Sequence, residues 1–505
     1  MSTFRPRLAE QYGGSLACAS SVFTMLEEGL QTSAYEPAVV AMHQPASHLS
    51  TLTASDRIRN ESYLTWTHQD LFEASVRLSL WLQKQGIGPA STLVSLIPNG
   101  IEWAILMYTS AVLGYTFAPL DPGALESARS QELESLMRTL RPDAVVVLDT
   151  TRSSTIDQAL HKSGVSTTVR VTLNQFQDAP TLSQWTSFLQ IADADGIADR
   201  DRADLLDKAR TQGPDHIAAI YFTSGTSSGK PKGCPRHVSS LASVYEVQKH
   251  QMNLTSQSRF LLASANFRVI SSLTNMIWGV GAAIVMPSAA FSPVTTLNAI
   301  EQQGITHILL VPALLRALVG DPTFSSRNLR SVKQVSLGGD MITKDVFTKA
   351  VTAFPRASVR ASHGMSEGGG LFAWPFEGVH VEDIPFFDGI APSGTIAKGS
   401  RVRLYNDTRQ IVQRGQTGEL HICSSCTIKG YVGDISSDDF YWDEHGQWFK
   451  TGDLALMTQD GLVYILGRLK DRLKRAGIPI MPAAFETCID QFTGSPVRIC
   501  STKDH

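Results

Sequence analysis

The chain has 505 residues, with 44 Lys and Arg against 47 Asp and Glu and a formal net charge of −3. That balance leaves no electrostatic surplus for neutralising a nucleic-acid backbone. Apolar residues at 43% against 18% charged exclude global disorder and allow a large core.

Six cysteines, at positions 18, 234, 423, 426, 488 and 500, are too scattered for a disulfide framework. Met1 to Glu10 contains no apolar run of the kind a secretory signal needs. The most apolar segment, 104–120, is interrupted by Gly114 and Pro119 and is too short for a membrane span. A reducing, cytoplasmic setting without nucleic-acid partner or membrane span is the expectation.

Residues 1–60 carry no periodicity that places an element. Trp66–Gln85 reads as a helix, with Phe72, Val76 and Leu80 on one face, stopped by the run from Gly86 to Pro89. A strand at Leu93–Ile97, a turn at Pro98–Gly100 and an apolar helix at Glu102–Leu113 come next. Tyr115–Ala118 and Ala144–Leu148 are further strands, and the alternation implies a mainly parallel sheet covered on both faces. Downstream, Ile217–Phe222, Ile308–Val311, Val332–Leu337 and Ser358–Ala361 read as strands. From about Gly389 the texture changes to Gly-punctuated strands such as Leu420–Cys423 and Leu462–Ile465, a smaller strand-rich lobe.

The sharpest local feature comes directly after the Ile217–Phe222 strand: Thr223, Ser224, Gly225, Thr226, Ser227, Ser228, Gly229, Lys230, Pro231, Lys232 and Gly233. Hydroxyls and backbone N–H groups in such a run can wrap oxyanions, with a lysine supplying a point charge. It is not a Walker A loop, because only three residues separate Gly225 from Gly229 and Pro231 follows Lys230.

This loop resembles the signature loop of the adenylate-forming superfamily, which includes acyl-CoA synthetases and adenylation domains of peptide synthetases. Three further motifs, in order, carry the same resemblance: Ser362–Glu367, Trp448–Asp453 and Gly467–Lys474. The fold it implies is α/β, a large multi-lobed adenylate-forming domain with mixed sheets flanked by helices plus a strand-rich lobe. Residues 1–469 form the large domain, with the strand-rich lobe over about 390–469. Residues 470–505 are the hinge, at Lys470, and the incomplete start of a C-terminal small domain that is otherwise missing.

The resemblance implies that a carboxylate attacks the α-phosphate of ATP, giving an acyl-adenylate and pyrophosphate. It assigns Thr223 to Lys232 to the phosphates, with Thr223, Lys232 and Glu367 as catalytic residues. Glu367 is also the Mg²⁺ ligand, since a carboxylate beside nucleotide phosphates requires an intervening hard cation. His363 stands where an aromatic ring usually stacks on adenine, and a neutral imidazole is planar enough to do so. Gly364 and Ser366 complete that motif, and Gly338, Gly339 and Asp340 form a turn against adenine or the acyl chain. Asp453 is matched to the ribose hydroxyls, which suit an acceptor-only side chain, and Arg468 to ribose or phosphate.

Adenylation domains for amino acids carry an aspartate that pairs with the substrate ammonium. The matching segment here, Asn266 to Val269, places Phe267 and Arg268 there, and arginine repels an ammonium. An aryl, fatty or polyketide-like acid is therefore expected instead, and Trp278 and Gly279 either border its pocket or are ordinary helix-core residues. Cys423 and Cys426 have the spacing of half a zinc site, but no second pair lies nearby and the alternation of Leu420, Ile422 and Ser424 puts them in or beside a strand, as core residues or free thiols.

The expected enzyme is thus an AMP-forming acid–thiol ligase with ATP, Mg²⁺ and coenzyme A. A standalone domain loading a separate carrier protein, and a nucleotide-binding remnant with a regulatory or scaffolding role, are the alternatives. With no match to the family's catalytic lysine beyond Glu486, impaired adenylation is a further expectation.

Overall fold

The computed structural model describes residues 7–17, 21–52, 62–173, 184–191, 199–223, 231–433, 438–471, 473–475, 478–480 and 489. Two seven-stranded sheets dominate them. The first runs Gly233–His237, Ile217–Phe222, Thr116–Pro119, Thr92–Leu96, Ala144–Val147, Val169–Thr172 and Thr186–Ser187. Its pairs are parallel except the first, where Gly233–His237 turns back along Ile217–Phe222. The second runs Ser358–Ala361, Gln334–Leu337, His307–Leu310, Arg259–Leu261, Ala283–Met286, Pro37–Ala41 and Leu64–Thr67. Only its last pair is antiparallel.

Neighbouring residues on a strand feed different cores. Val39 and Leu93, from different sheets, join one core with the helices Val22–Ser33, His68–Lys84 and Ile101–Leu113, while Val40 and Val94 face away into two others. This is the period-two alternation of strands covered on both faces. Every residue of Ile101–Leu113 is buried, as a helix apolar all round must be. That is why the 104–120 stretch is the most membrane-like in the sequence, yet no helix among the described residues is long and apolar enough to cross a membrane.

The helix expected at Trp66 begins at His68, because Trp66 and Thr67 pair with Val39 and Pro37. Thr67 then caps it. Asp70 N donates to Thr67 Oγ1 at 3.1 Å and Thr67 N donates to Asp70 Oδ2 at 3.0 Å, a reciprocal capping box.

A six-stranded sheet forms the third lobe, in the order Glu10–Tyr12, Ser400–Tyr405, Thr417–Ser424, Gly446–Met457 and Phe440–Asp443. Val463–Arg468 also pairs with Gly446–Met457. The lobe draws an edge strand from the other end of the chain. The expected fold class needs one correction: the carboxyl-terminal part is not mostly missing. Its lobe is built with strands through Arg468, and beyond them Leu473–Arg475 pairs with Ile478–Ile480.

Candidate active site

The antiparallel hairpin at the edge of the first sheet fixes both ends of the hydroxyl-rich loop. Thr223 N donates to the Lys232 carbonyl at 3.0 Å, and Lys232 N donates to Thr223 Oγ1 at 3.0 Å. Ser224, Gly225, Thr226, Ser227, Ser228, Gly229 and Lys230 lie outside the described residues. At the mouth, Lys232 Nζ sits 3.1 Å from Asp439 Oδ2 and 4.5 Å over the ring of Tyr431. The Tyr431 hydroxyl donates to Glu367 Oε1 at 2.9 Å. Burial first, and then the Glu367 charge, push that hydroxyl's pKa well above its ordinary value, so it stays a donor. Thr223, Lys232 and Glu367 thereby belong to one contact chain, in which Tyr431 and Asp439 are the members the sequence did not reveal.

A second corner is built on the third lobe, where Asp453 and Arg468 face each other in register. Arg468 Nε lies 3.0 Å from Asp453 Oδ1, and its Nη1 donates to the Thr451 carbonyl at 2.8 Å. His363 Nε2 is 3.7 Å from Asp453 Oδ2. Its ring meets Phe372 edge-on at 5.4 Å, and its Nδ1 is buried without a hydrogen-bond partner among the described residues.

A cavity of about 860 Å³ opens at the carboxyl ends of Gln334–Leu337 and Ser358–Ala361, the usual place for a ligand in a parallel sheet. Of the two corners, His363 lines it, whereas Thr223, Lys232, Glu367, Asp453 and Arg468 do not. Gly338, Gly339, His363, Gly364 and Ser366 line it, with Phe267 and Arg268 on another wall. A Cβ on Gly338 would stand 2.7 Å from the Ser362 carbonyl oxygen, and Gly339 has φ +79°, so both positions require glycine. Asp340 is exposed, accepts from the Met341 N–H at 2.8 Å and does not line the cavity.

Asn99 and Asn266 close another wall. Asn266 N donates to Asn99 Oδ1 at 2.9 Å, and Asn266 Nδ2 donates to the Ile97 carbonyl at 3.0 Å.

Neither Trp278 nor Gly279 borders the cavity. Trp278 is fully buried, donates from Nε1 to the Ala38 carbonyl at 3.0 Å and packs 5.7 Å from the Tyr108 ring. A Cβ on Gly279 would come 2.5 Å from Met25 Cγ. The Thr274–Gly279 helix turns this pair against Val22–Ser33, away from any ligand. Cys426 is buried in the core and Cys423 Sγ donates to the His445 carbonyl. Among the described residues, no cluster of three His, Cys, Asp or Glu could hold a metal.

The family model described as AMP-binding enzyme matches residues 43–432. This chain belongs to that family. It is 34% identical over 502 residues to an acyl-CoA ligase of Pestalotiopsis microspora, covering 97% of this chain and 86% of the relative. It is 25% identical over 433 residues to 4-coumarate–CoA ligase 1 of Oryza sativa subsp. japonica, covering 84% and 73% respectively. Its fold matches the ATP-bound crystal structure of MatB from Rhodopseudomonas palustris with a TM-score of 0.69 at 19% identity, over 92% of this chain and 83% of that one.

These matches also correct the expectation of a truncated and impaired AMP-binding enzyme. The alignment with the Pestalotiopsis ligase takes in nearly all of this chain, and the strands of the carboxyl-terminal lobe are in place through Arg468. The case for activity weakened by a missing lysine falls with the case for a missing domain.

Proposed function

We propose that this AMP-binding enzyme activates a carboxylic acid with ATP and transfers the acyl group to the thiol of coenzyme A. One carboxylate oxygen attacks the α-phosphorus and the bond to pyrophosphate breaks. The thiol sulfur then attacks the acyl carbon, its proton leaves to solvent, and AMP departs carrying the carboxylate oxygen. The reading is carried by one observation: His363, 3.7 Å from Asp453, and Ser366, next to Glu367, line one cavity large enough for nucleotide and acid. Both relatives are named as CoA ligases, which favours coenzyme A as acceptor.

Asp453 would accept from the ribose hydroxyls, and Lys232 would neutralise leaving phosphate charge. The planar His363 ring, with an unpartnered Nδ1, would lie against adenine. Glu367 fits Mg²⁺. It offers one carboxylate, held by Tyr431, and this ion takes one or two carboxylates with phosphates and water making up its shell. When bound, the ion would offset phosphate charge. Lys470, exposed on the turn Leu469–Asp471, would serve as the hinge that joins residues 1–469 to the remainder of the chain. A cytoplasmic setting suits ATP and coenzyme A as co-substrates.

The acid would be aryl, fatty or polyketide-like. Arg268 lies 5.1 Å over the Phe267 ring at the cavity wall, and the aspartate lining the cavity, Asp121, is already paired with Arg129 at 2.6 Å. Neither arrangement welcomes an ammonium group. Acid-dependent exchange of pyrophosphate into ATP tests the reading. Exchange with aryl or aliphatic acids and none with α-amino acids is expected. Its absence across such a panel would overturn the proposal.

A further inference from the structure

Two arginines are buried in the wall of the same cavity, and neither forms an ion pair with a carboxylate among the described residues. Arg236 is 2% exposed, and its Nε and Nη1 have no hydrogen-bond partner among the described residues. The ionisable groups acting on it are Cys426, Cys234, Tyr245 and Tyr221. Burial pushes the pKa values of Cys234, Tyr245 and Tyr221 upward, so these three are neutral. Arg360 is also 2% exposed. It donates from Nε to Ser336 Oγ at 2.9 Å and from Nη1 to the Gln251 carbonyl, both neutral acceptors. The carboxylate acting on it is the exposed Glu377, with no ion pair formed.

A guanidinium stays protonated in proteins and is costly to bury unpaired. Two of them facing one cavity therefore call for an anion from outside the chain. The reacting carboxylate and the phosphates belong at the loop mouth by Lys232. Arg236 lies four residues further along the edge strand, about 13 Å away at ordinary strand rise. The charge thus lines the cavity apart from the Lys232 mouth.

We propose that the substrate is a dicarboxylic acid, whose second carboxylate is held unreacted by Arg236, with Arg360 adding to the positive field. This rests on the ligase reading above. The planar fork of Arg236 suits a carboxylate, which can accept from two of its N–H groups at once, and Gln248 lines the same wall.

Acid-dependent pyrophosphate exchange is measured with succinate, adipate, suberate and isophthalate, each against its monomethyl ester. The intact protein should prefer at least one diacid over its ester by about tenfold or more in kcat/KM, as a charge-assisted hydrogen bond warrants. Arg236→Leu should abolish that preference while leaving the KM for ATP unchanged, and Arg236→Lys should keep part of it. Half-esters used as well as diacids by the intact protein would overturn the inference, whether or not Arg236→Leu folds. An unchanged preference in a folded Arg236→Leu would do the same. Exchange with none of these acids, nor with any monoacid, would instead overturn the ligase reading and this inference with it.

Discussion

Arg468 reaches across two antiparallel strands to set its Nε 3.0 Å from the Oδ1 of Asp453, leaving Oδ2 toward His363 at 3.7 Å. The Asp453 side chain is 6% exposed, so it is aimed before any ligand arrives. Asp453→Ala should lower kcat/KM for ATP roughly 10- to 100-fold, the worth of hydrogen bonds to a charged group. The check is 2′-deoxy-ATP in the exchange assay. It should be penalised in the intact protein and not in the variant, and a penalty that persists in the variant would remove Asp453 from the ribose.

Tyr431 holds Glu367 through a 2.9 Å hydrogen bond. Tyr431→Phe should raise the Mg²⁺ concentration for half-maximal exchange about tenfold, the scale of losing a partner that orients a metal ligand. A Mg²⁺ titration at saturating ATP reads this. An unchanged midpoint would mean that Glu367 does not face the ion.

Trp278 is a core residue, so Trp278→Ala should cost about 3–5 kcal/mol of stability and leave the order of preference among acids unaltered. Urea denaturation and the acid panel test the two halves. A changed preference in a protein of normal stability would return Trp278 to the pocket.

The pattern that made Ile217–Phe222 legible is local, a short run rich in Ile, Ala and aromatics ending in a functional turn, and it and Ser358–Ala361 both form at those bounds. Glu10–Tyr12 was illegible because its partner is Ser400–Tyr405, almost the whole chain away. Trp278 was ambiguous for a related reason. An aromatic near a glycine-rich run looks the same whether the helix turns it to a ligand or to Met25 and Tyr108. Tyr431 and Asp439 join the site only by folding back on Lys232. Arg236 did leave a signal, since strand alternation puts it on the same face as Cys234, but a charge on an edge strand ordinarily faces water.

His307 gives the fold an acid-sensitive point. Its Nε2 lies 2.9 Å from the Met252 carbonyl and its Nδ1 2.8 Å from Thr306 Oγ1, which suits a neutral ring donating from Nε2. Burial pushes its pKa from 6.5 down to about 4. As pH falls below 6.5 the unfolded chain takes up a proton that the folded chain refuses until about 4. Stability is therefore lost across that window, by an amount on the order of 3 kcal/mol, and no further below it. Urea unfolding at neutral and acidic pH should show a smaller acid loss for His307→Gln than for the intact protein. Equal losses would show that the imidazole is not responsible.

Whether the α-phosphorus is attacked by the acid can be read from where an oxygen atom goes. With the substrate carboxylate labelled in heavy oxygen and coenzyme A present, mass analysis of the nucleotide product should find one labelled oxygen in AMP for each thioester formed. Unlabelled AMP, or ADP with the label in inorganic phosphate, would contradict an acyl-adenylate and with it the account of this site.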